Sequence, residues 1–304
     1  MVSGRITESS IHTRVLANLQ RNLAKGAKIQ EQLSSGKQLN RPSDSPAGTV
    51  SALQLRSESL TSQQYTRNAE DGMGWLSTLE DTLASSSTLT NRARDLTVQA
   101  LNMNSNGALA GEALAAEIDQ LRDTLISQAN TRYLDRPVFG GNTTDPVAYD
   151  KDGVFTGNAY DPSQVATTSV SRTVGSGTKV RVDLTGTEAY GDDTNGLFKV
   201  LKDLSASIRA GDRDQLSTDL GRLDKASDQL KSAVSEIGSR YNRIAQMKTS
   251  AQDRLLSVTS QLSDIEDIDL PKTIMDMQLQ QTSYQAALAA TAKVIQPSLI
   301  DFLR

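Results

Sequence analysis

Fifteen positions from Leu216 to Ile265 are spaced alternately four and three residues apart, and only Ser227 and Lys248 among them are polar. That alternation is the 3.5-residue period of a coiled-coil helix, whose apolar seam must face a partner along its whole length. No proline lies between Pro162 and Pro271 to interrupt it. At 1.5 Å per residue the helix runs roughly 75 Å, more than an ordinary compact domain spans. The chain is therefore expected to build a rod of helices rather than a sphere.

Composition agrees with a thin seam rather than a thick core. Of 304 residues, 37% are hydrophobic and 4% aromatic, too few for a large apolar centre. The net charge of −4 supplies no basic field for phosphates, which argues against nucleic acid as a partner. With no cysteine, disulfides and thiolate metal sites are excluded. The first twenty residues include Arg5, Glu8, Arg14 and Gln20 without a continuous apolar run, so neither a cleavable signal peptide nor a membrane span is expected.

A partner for the long helix is read in Trp75, Leu79, Thr82, Ser86, Leu89, Ala93, Leu96, Ala100 and Met103, which follow the same alternation. After Gly107 and Gly111 the pattern restarts with Leu114, Ile118, Leu121 and Leu125, a helix turning back along the bundle. Between Pro137 and Gly196 helical periodicity stops and nine of the twenty glycines collect. There Val180, Val182 and Leu184 alternate with Lys179, Arg181 and Asp183, and the run Val165–Val174 precedes them across Gly175-Ser176-Gly177, which predicts a β-hairpin. A small β-rich domain is thus inserted at the tip of the helical shaft, facing away from the termini.

The ends carry weaker seams. Leu16, Leu19, Leu23, Gly26, Gln30 and Leu33 mark one, and Ile274, Met277, Gln281, Tyr284, Leu288, Thr291, Ile295, Ser298 and Phe302 the other. Each is diluted with polar or small residues, and ordering a residue costs on the order of 1–2 kcal/mol before burial offsets it. The two ends are expected to be marginal alone and to order when neighbours cover their apolar faces. Leu299 beside Phe302 adds to the candidate assembly interface, and Ala286, Ala287, Ala289, Ala290 and Ala292 let several helices approach closely. A head-to-tail contact of this kind repeats into rings or tubes.

The motifs that would mark chemistry fail on spacing. With Gly153 at position six of a calcium loop, Ala148 and Ala159 fall where carboxylates belong; around Gly36-Lys37, Glu31 and Gln38 stand where a phosphate loop needs Gly and Ser or Thr. His12 is the sole histidine, which rules out a multi-histidine metal site. Scattered acidic residues sit beside Lys and Arg on helix faces, as solvated surfaces do. No catalytic, metal or cofactor site is expected; an enzyme would have to use Asp150, Asp152 and Tyr160 of the insertion. The segment Arg41, Pro42, Ser43, Asp44, Ser45, Pro46 stops the first helix and offers Asp44 or Ser45 as cap for the next.

That segment, within Glu31–Pro46, also resembles the N-terminal signature of the flagellin superfamily, and its Arg-Pro-Ser-Asp element with the second proline resembles the hook-filament junction branch (hook-associated protein 3). Asn68-Ala69-Glu70-Asp71-Gly72, Phe139-Gly140-Gly141 and Asp267-Ile268-Asp269 resemble further superfamily elements. Ser298-Leu299-Ile300-Asp301-Phe302-Leu303 is similar to the ending of the junction branch, whereas Ser45 departs from the second aspartate common there. The resemblance implies a non-enzymatic structural protein of the bacterial flagellum, exported unfolded through the flagellar type III apparatus. It implies a chaperone on the C-terminal helix before export, and an extracellular ring layer of copies between the first hook-associated protein and flagellin. The alternative it leaves is a short flagellin that forms the filament itself.

The expected fold is mainly α: an elongated helical bundle with long coiled-coil helices from both termini and a small inserted β-rich domain. Its segments are 1–40 and 266–304 for assembly, 41–137 and 197–265 for the shaft, and 138–196 for the outer domain.

Overall fold

The computed structural model describes residues 8–102 and 108–295; the expectations for Met103, Gly107, Ser298, Leu299 and Phe302 fall outside them. Two compact units result, one made of Met1–Leu60 with Leu255–Arg304, the other of Thr61–Arg254. The boundaries fall inside two long helices, α2 (Pro46–Leu101) and α7 (Arg213–Glu266), each of which contributes to both units. The protein is mainly α, as its periodicities require.

In the 61–254 unit the heptad reading of α7 holds at every position. Leu216, Leu223, Ser227, Leu230, Ile237, Ile244 and Ala251 are buried and the alternate positions half-buried, including Lys248, which reaches Glu70 of α2 at 3.0 Å. Farther along, Arg94 meets Asp224 at 2.7 Å, so residue numbers climb on α2 as they fall on α7 and the helices run antiparallel. On α2 the expected seam is buried at Trp75, Leu79, Thr82, Ser86, Ala93 and Leu96. A second stripe, Ala69, Leu76, Leu83, Thr90 and Thr97, recurs every seven residues and is equally buried. Helix α2 is therefore covered on two faces, which the single stripe read from the sequence did not anticipate. Each fully buried leucine contributes roughly 1.5–3 kcal/mol relative to exposure.

The second face is covered by the rest of this unit. Helix α3 (Ala108–Ala129) turns back through buried Leu114, Ile118 and Leu125 and packs on α6 (Leu197–Ala210), which buries Leu197, Leu201 and Leu204. Helix α6 stops at Gly211, whose left-handed φ of 66° lets its N–H donate to Ile208 and Ser207 carbonyls. Between α3 and α6 lie a hairpin of β1 (Arg132–Tyr133) and β2 (Arg136–Pro137), then a second hairpin of β3 (Ser171–Gly175) and β4 (Thr178–Arg181). Phe139, Tyr149, Tyr190 and Phe198 meet edge-on or tilted at centroid distances of 4.8–6.0 Å and form the apolar centre of this part.

The Val165–Val174 run is not one strand. Val165–Thr168 form a helical turn, α4, after a 3₁₀ turn started by Asp161, whose carboxylate accepts from the Ser163 N–H. Only Ser171–Gly175 pairs with β4. Val180, Val182 and Leu184 point inward as expected, but Asp183 is fully buried too, where it accepts from Arg181 at 2.8 Å. Arg181 also grips Glu188 of α5 (Gly186–Tyr190) with two hydrogen bonds and lies over the Tyr160 ring at 3.6 Å. Burial pushes the Asp183 carboxyl above its ordinary range against the pull of Arg181.

The Asn68–Gly72 element seats the β3–β4 hairpin on α2. Asn68 donates to the Thr173 carbonyl at 2.7 Å, Asp71 accepts from Arg172 at 2.5 Å, Ala69 is fully buried, and Glu70 meets Lys248. Gly72 sits at a close approach, since a Cβ there would stand 3.1 Å from Ile244 and 3.2 Å from Val182, tighter than ordinary contact.

Candidate assembly interface

The terminal-helix unit is built differently from its neighbour. Helix α1 (Glu8–Ser35) packs on α8 (Leu270–Ile295), yet among the described residues the buried hydrophobic side chains in the whole unit are Ile29, Ala52 and Val258. Of sixteen large apolar side chains that stand exposed in the described chain, eleven belong to this unit. They include Leu16 (60% exposed) and Leu23 (61%) on α1, Ile274, Met275, Leu279 and Leu288 on α8, and Val50, Leu53 and Leu60 on α2.

The α1–α8 seam is offset from the one read in the sequence. Leu19, Gly26 and Leu33 do line it on α1, and Met277, Tyr284 and Thr291 on α8. Leu16, Leu23 and Gln30, with Ile274, Gln281 and Leu288, are instead exposed. Their places in the seam are taken by Val15, Asn22 and Ile29 and by Thr273, Gln280 and Ala287. The reason is polar: buried Gln280 donates to the Asn22 carbonyl at 2.9 Å, and its stem lies 3.7 Å from where a Cβ on Gly26 would be. A satisfied amide in the seam leaves the leucines beside it uncovered. Ile295 closes α8.

The connectors of this unit are tied together across 230 residues. Gln38 donates to the Glu266 carbonyl at 2.5 Å and Ile268 to the Gly36 carbonyl at 3.2 Å, an antiparallel bridge between the α1–α2 and α7–α8 junctions. Lys37 reaches Asp267 at 2.5 Å and Glu266 at 3.5 Å, while Arg56 lies 2.8 Å from Glu266, whose side chain is only 5% exposed. The hydrogen bond from Lys37 holds the Asp267 carboxyl below the usual range, and the same bond raises Lys37.

The Arg41–Pro46 segment closes the first connector. Asp44 accepts from the Arg41 N–H at 3.0 Å and the Asn40 N–H at 3.3 Å, and it pairs with Lys28 at 2.8 Å, which depresses its pKa first of all. Ser45, not Asp44, caps α2, accepting from the Gly48 N–H at 3.2 Å with Pro46 at the first helical position. Arg41 pairs with Glu31 at 3.3 Å, Pro42 lines a cleft with Leu53 and Arg56, and Ser43 is exposed. Among the described residues no group of His, Cys, Asp and Glu is arranged to hold a metal, and no helix is long and apolar enough to cross a membrane.

The family model for the bacterial flagellin N-terminal helical region matches residues 6–144, and that for the bacterial flagellin C-terminal helical region matches residues 220–303. The chain is 28% identical to flagellar hook-associated protein 3 of Escherichia coli K12, over 94% of this chain and 95% of that protein. It is 27% identical to a flagellin of Halalkalibacterium halodurans, over 92% and 91% respectively. The solved structure of a flagellar hook-associated protein from Vibrio parahaemolyticus covers 74% of this chain and all of its own length, with a TM-score of 0.66 at 23% identity, and so shares the fold.

Proposed function

Because this chain belongs to the flagellin superfamily, with its N- and C-terminal helical regions matched in order, we propose that it forms the junction layer between hook and filament of the bacterial flagellum. The observation that carries the reading is the placement of uncovered apolar surface: eleven exposed large side chains in the terminal-helix unit against a well-filled core in the other. Such surface in a soluble chain marks a contact waiting for its other half. Leu16, Leu23, Ile274 and Leu288 meet neighbouring copies or the first hook-associated protein, Leu19, Leu33, Met277 and Tyr284 hold the pair together, and flagellin docks on the distal side. Leu299 and Phe302, outside the described residues, belong to the same proposed interface, and an export chaperone covers the C-terminal region until the chain leaves the cell.

The role is mechanical rather than catalytic. A second reading, a short flagellin, is favoured by the nearly equal identity to a flagellin along most of the chain. A deletion strain separates them: bare hooks that shed intact flagellin into the medium support the junction reading, and absence of flagellin supports the other.

A further inference from the structure

The terminal helices carry a second seam beside the one they use. Leu19, Gly26 and Leu33 of α1, with Met277, Tyr284 and Thr291 of α8, belong to both. The seam in use completes them with Val15, Asn22 and Ile29 and with Thr273, Gln280 and Ala287. One residue further on, Leu16, Leu23 and Gln30 with Ile274, Gln281 and Leu288 complete the same spacing. A residue covers about 100° of turn, so exchanging one set for the other turns each helix by roughly 50° about its own axis. The helices run antiparallel, with Gly36 beside Ile268 and Gly26 beside Gln280. Equal steps on antiparallel helices are opposite turns in space, so the two surfaces roll over each other as meshed gears do and need not separate.

The layers survive the turn. Counting out from Gly26 opposite Gln280 sets Asn22 by Tyr284, which line one cleft, Leu19 by Ala287 and Leu33 by Thr273. After the turn Leu19 faces Leu288, Leu23 faces Tyr284 and Leu33 faces Ile274, each layer shifted by about 1.5 Å. Apolar burial favours this second seam: four of the six exchanges replace a smaller or polar residue by Leu or Ile, and only Ile29 to Gln30 goes the other way. Ile29 and Gln280 are the buried residues that hold the seam in use, and Gln280 does so with the hydrogen bond it donates to the Asn22 carbonyl at 2.9 Å. A single polar contact at a seam position chooses between pairings that apolar packing leaves near balance. We propose that the Gln280–Asn22 hydrogen bond is a rotary latch, which selects one of two overlapping seams and keeps outward the Leu16, Leu23, Ile274 and Leu288 side chains that the pair would otherwise turn in on itself. The latch is internal to one molecule and goes beyond the junction reading.

The chain has no cysteine, so introduced pairs report the seam directly. Leu19 belongs to both seams. The full-length variant L19C/A287C therefore closes an intramolecular disulfide from the seam in use, and L19C/L288C from the second one, each read in dilute monomer by its mobility on a non-reducing gel. In the native background the first pair should close faster. Q280A should move the ratio of the two rates toward the second pair by roughly tenfold, the worth of one buried hydrogen bond. L33C with T273C or with I274C repeats the comparison at the other end of α1. A ratio that Q280A leaves unchanged, both pairs slowing together, or closure by neither pair in the native background overturns the latch and leaves the junction reading standing.

Discussion

Lys37 and Asp267 meet at 2.5 Å although 230 residues separate them, and with Glu266 and Arg56 they close the two connectors of the terminal-helix unit on each other. Lys37 and Asp267 are both more than a third exposed, so solvent screening limits their coupling to about 0.2–1 kcal/mol, as a double-mutant cycle of K37M and D267N should measure. Glu266 is nearly buried. Removing Arg56 leaves that carboxylate with the more distant Lys37, and R56M should cost more than K37M, up to about 3 kcal/mol.

The same tie predicts a direction with pH. The folded pKa of Asp267 is depressed, chiefly by the hydrogen bond from Lys37 and then by that from Ser263. A depressed carboxyl contributes stability at pH above its unfolded value and loses it as pH falls through the folded value. The protection factors of the Gln38 and Ile268 amides, taken relative to their intrinsic exchange at each pH, should therefore fall on acidification below the ordinary carboxylate range. K37M should flatten that response.

Within the other unit the buried Asp183 carboxylate depends on Arg181. The Asp183 side chain is 0% exposed, and R181M strands its charge, costing about 3–5 kcal/mol of the unit's stability by denaturant titration. Adding D183N to R181M should recover part of that loss, because it removes the charge Arg181 neutralises.

Two glycines in the insertion separate space from backbone. Gly141 has φ +65° and a Cβ there would lie 2.5 Å from the Asn158 carbonyl oxygen; Gly177 has φ +69° with nothing within 4 Å. G177A should cost about 1–2 kcal/mol, the left-handed backbone penalty alone. G141A should cost distinctly more, since a backbone oxygen cannot step aside as a side chain can. Thermal unfolding of the two variants gives the comparison.

What was legible in the sequence follows what the physics repeats. The α7 seam could be read residue by residue because each position sees the same partner geometry for fifty residues, and even its lysine was accommodated, by Glu70. The second stripe of α2 was present as Leu76 and Leu83 seven apart, but it overlaps the first and one-partner reasoning passes over it. At Leu16, Leu23, Ile274 and Leu288 the terminal seam was misread by one position because a large apolar side chain was taken as the mark of the inside, while Leu19, Leu33, Met277 and Tyr284 line it as read. There Gln280 and Asn22 lie inside through a hydrogen bond, and Leu16 and Leu23 lie outside for want of a neighbour. In the insertion, Val165–Thr168 has strand composition but follows Asp161-Pro162, which starts a helical turn instead. The value of Asn68 and Asp71 could not be read from spacing, because their partners Thr173 and Arg172 lie about a hundred residues away.

Leucines separate core from contact by a simple contrast. L223A and L230A, both at 0% exposure, should each cost about 2–5 kcal/mol of monomer stability. L23S should change it by no more than about 0.5 kcal/mol while abolishing incorporation at the hook. Chemical denaturation and motility complementation read the two effects separately.

Amide hydrogen exchange of α1 and α8, compared between purified monomer and hook-bound layer, tests most directly whether the terminal helices are finished by their neighbours. Fast exchange along both helices in the monomer and strong protection in the layer is the predicted result. Strong protection of both helices already in the solitary monomer, unchanged on assembly, would contradict it.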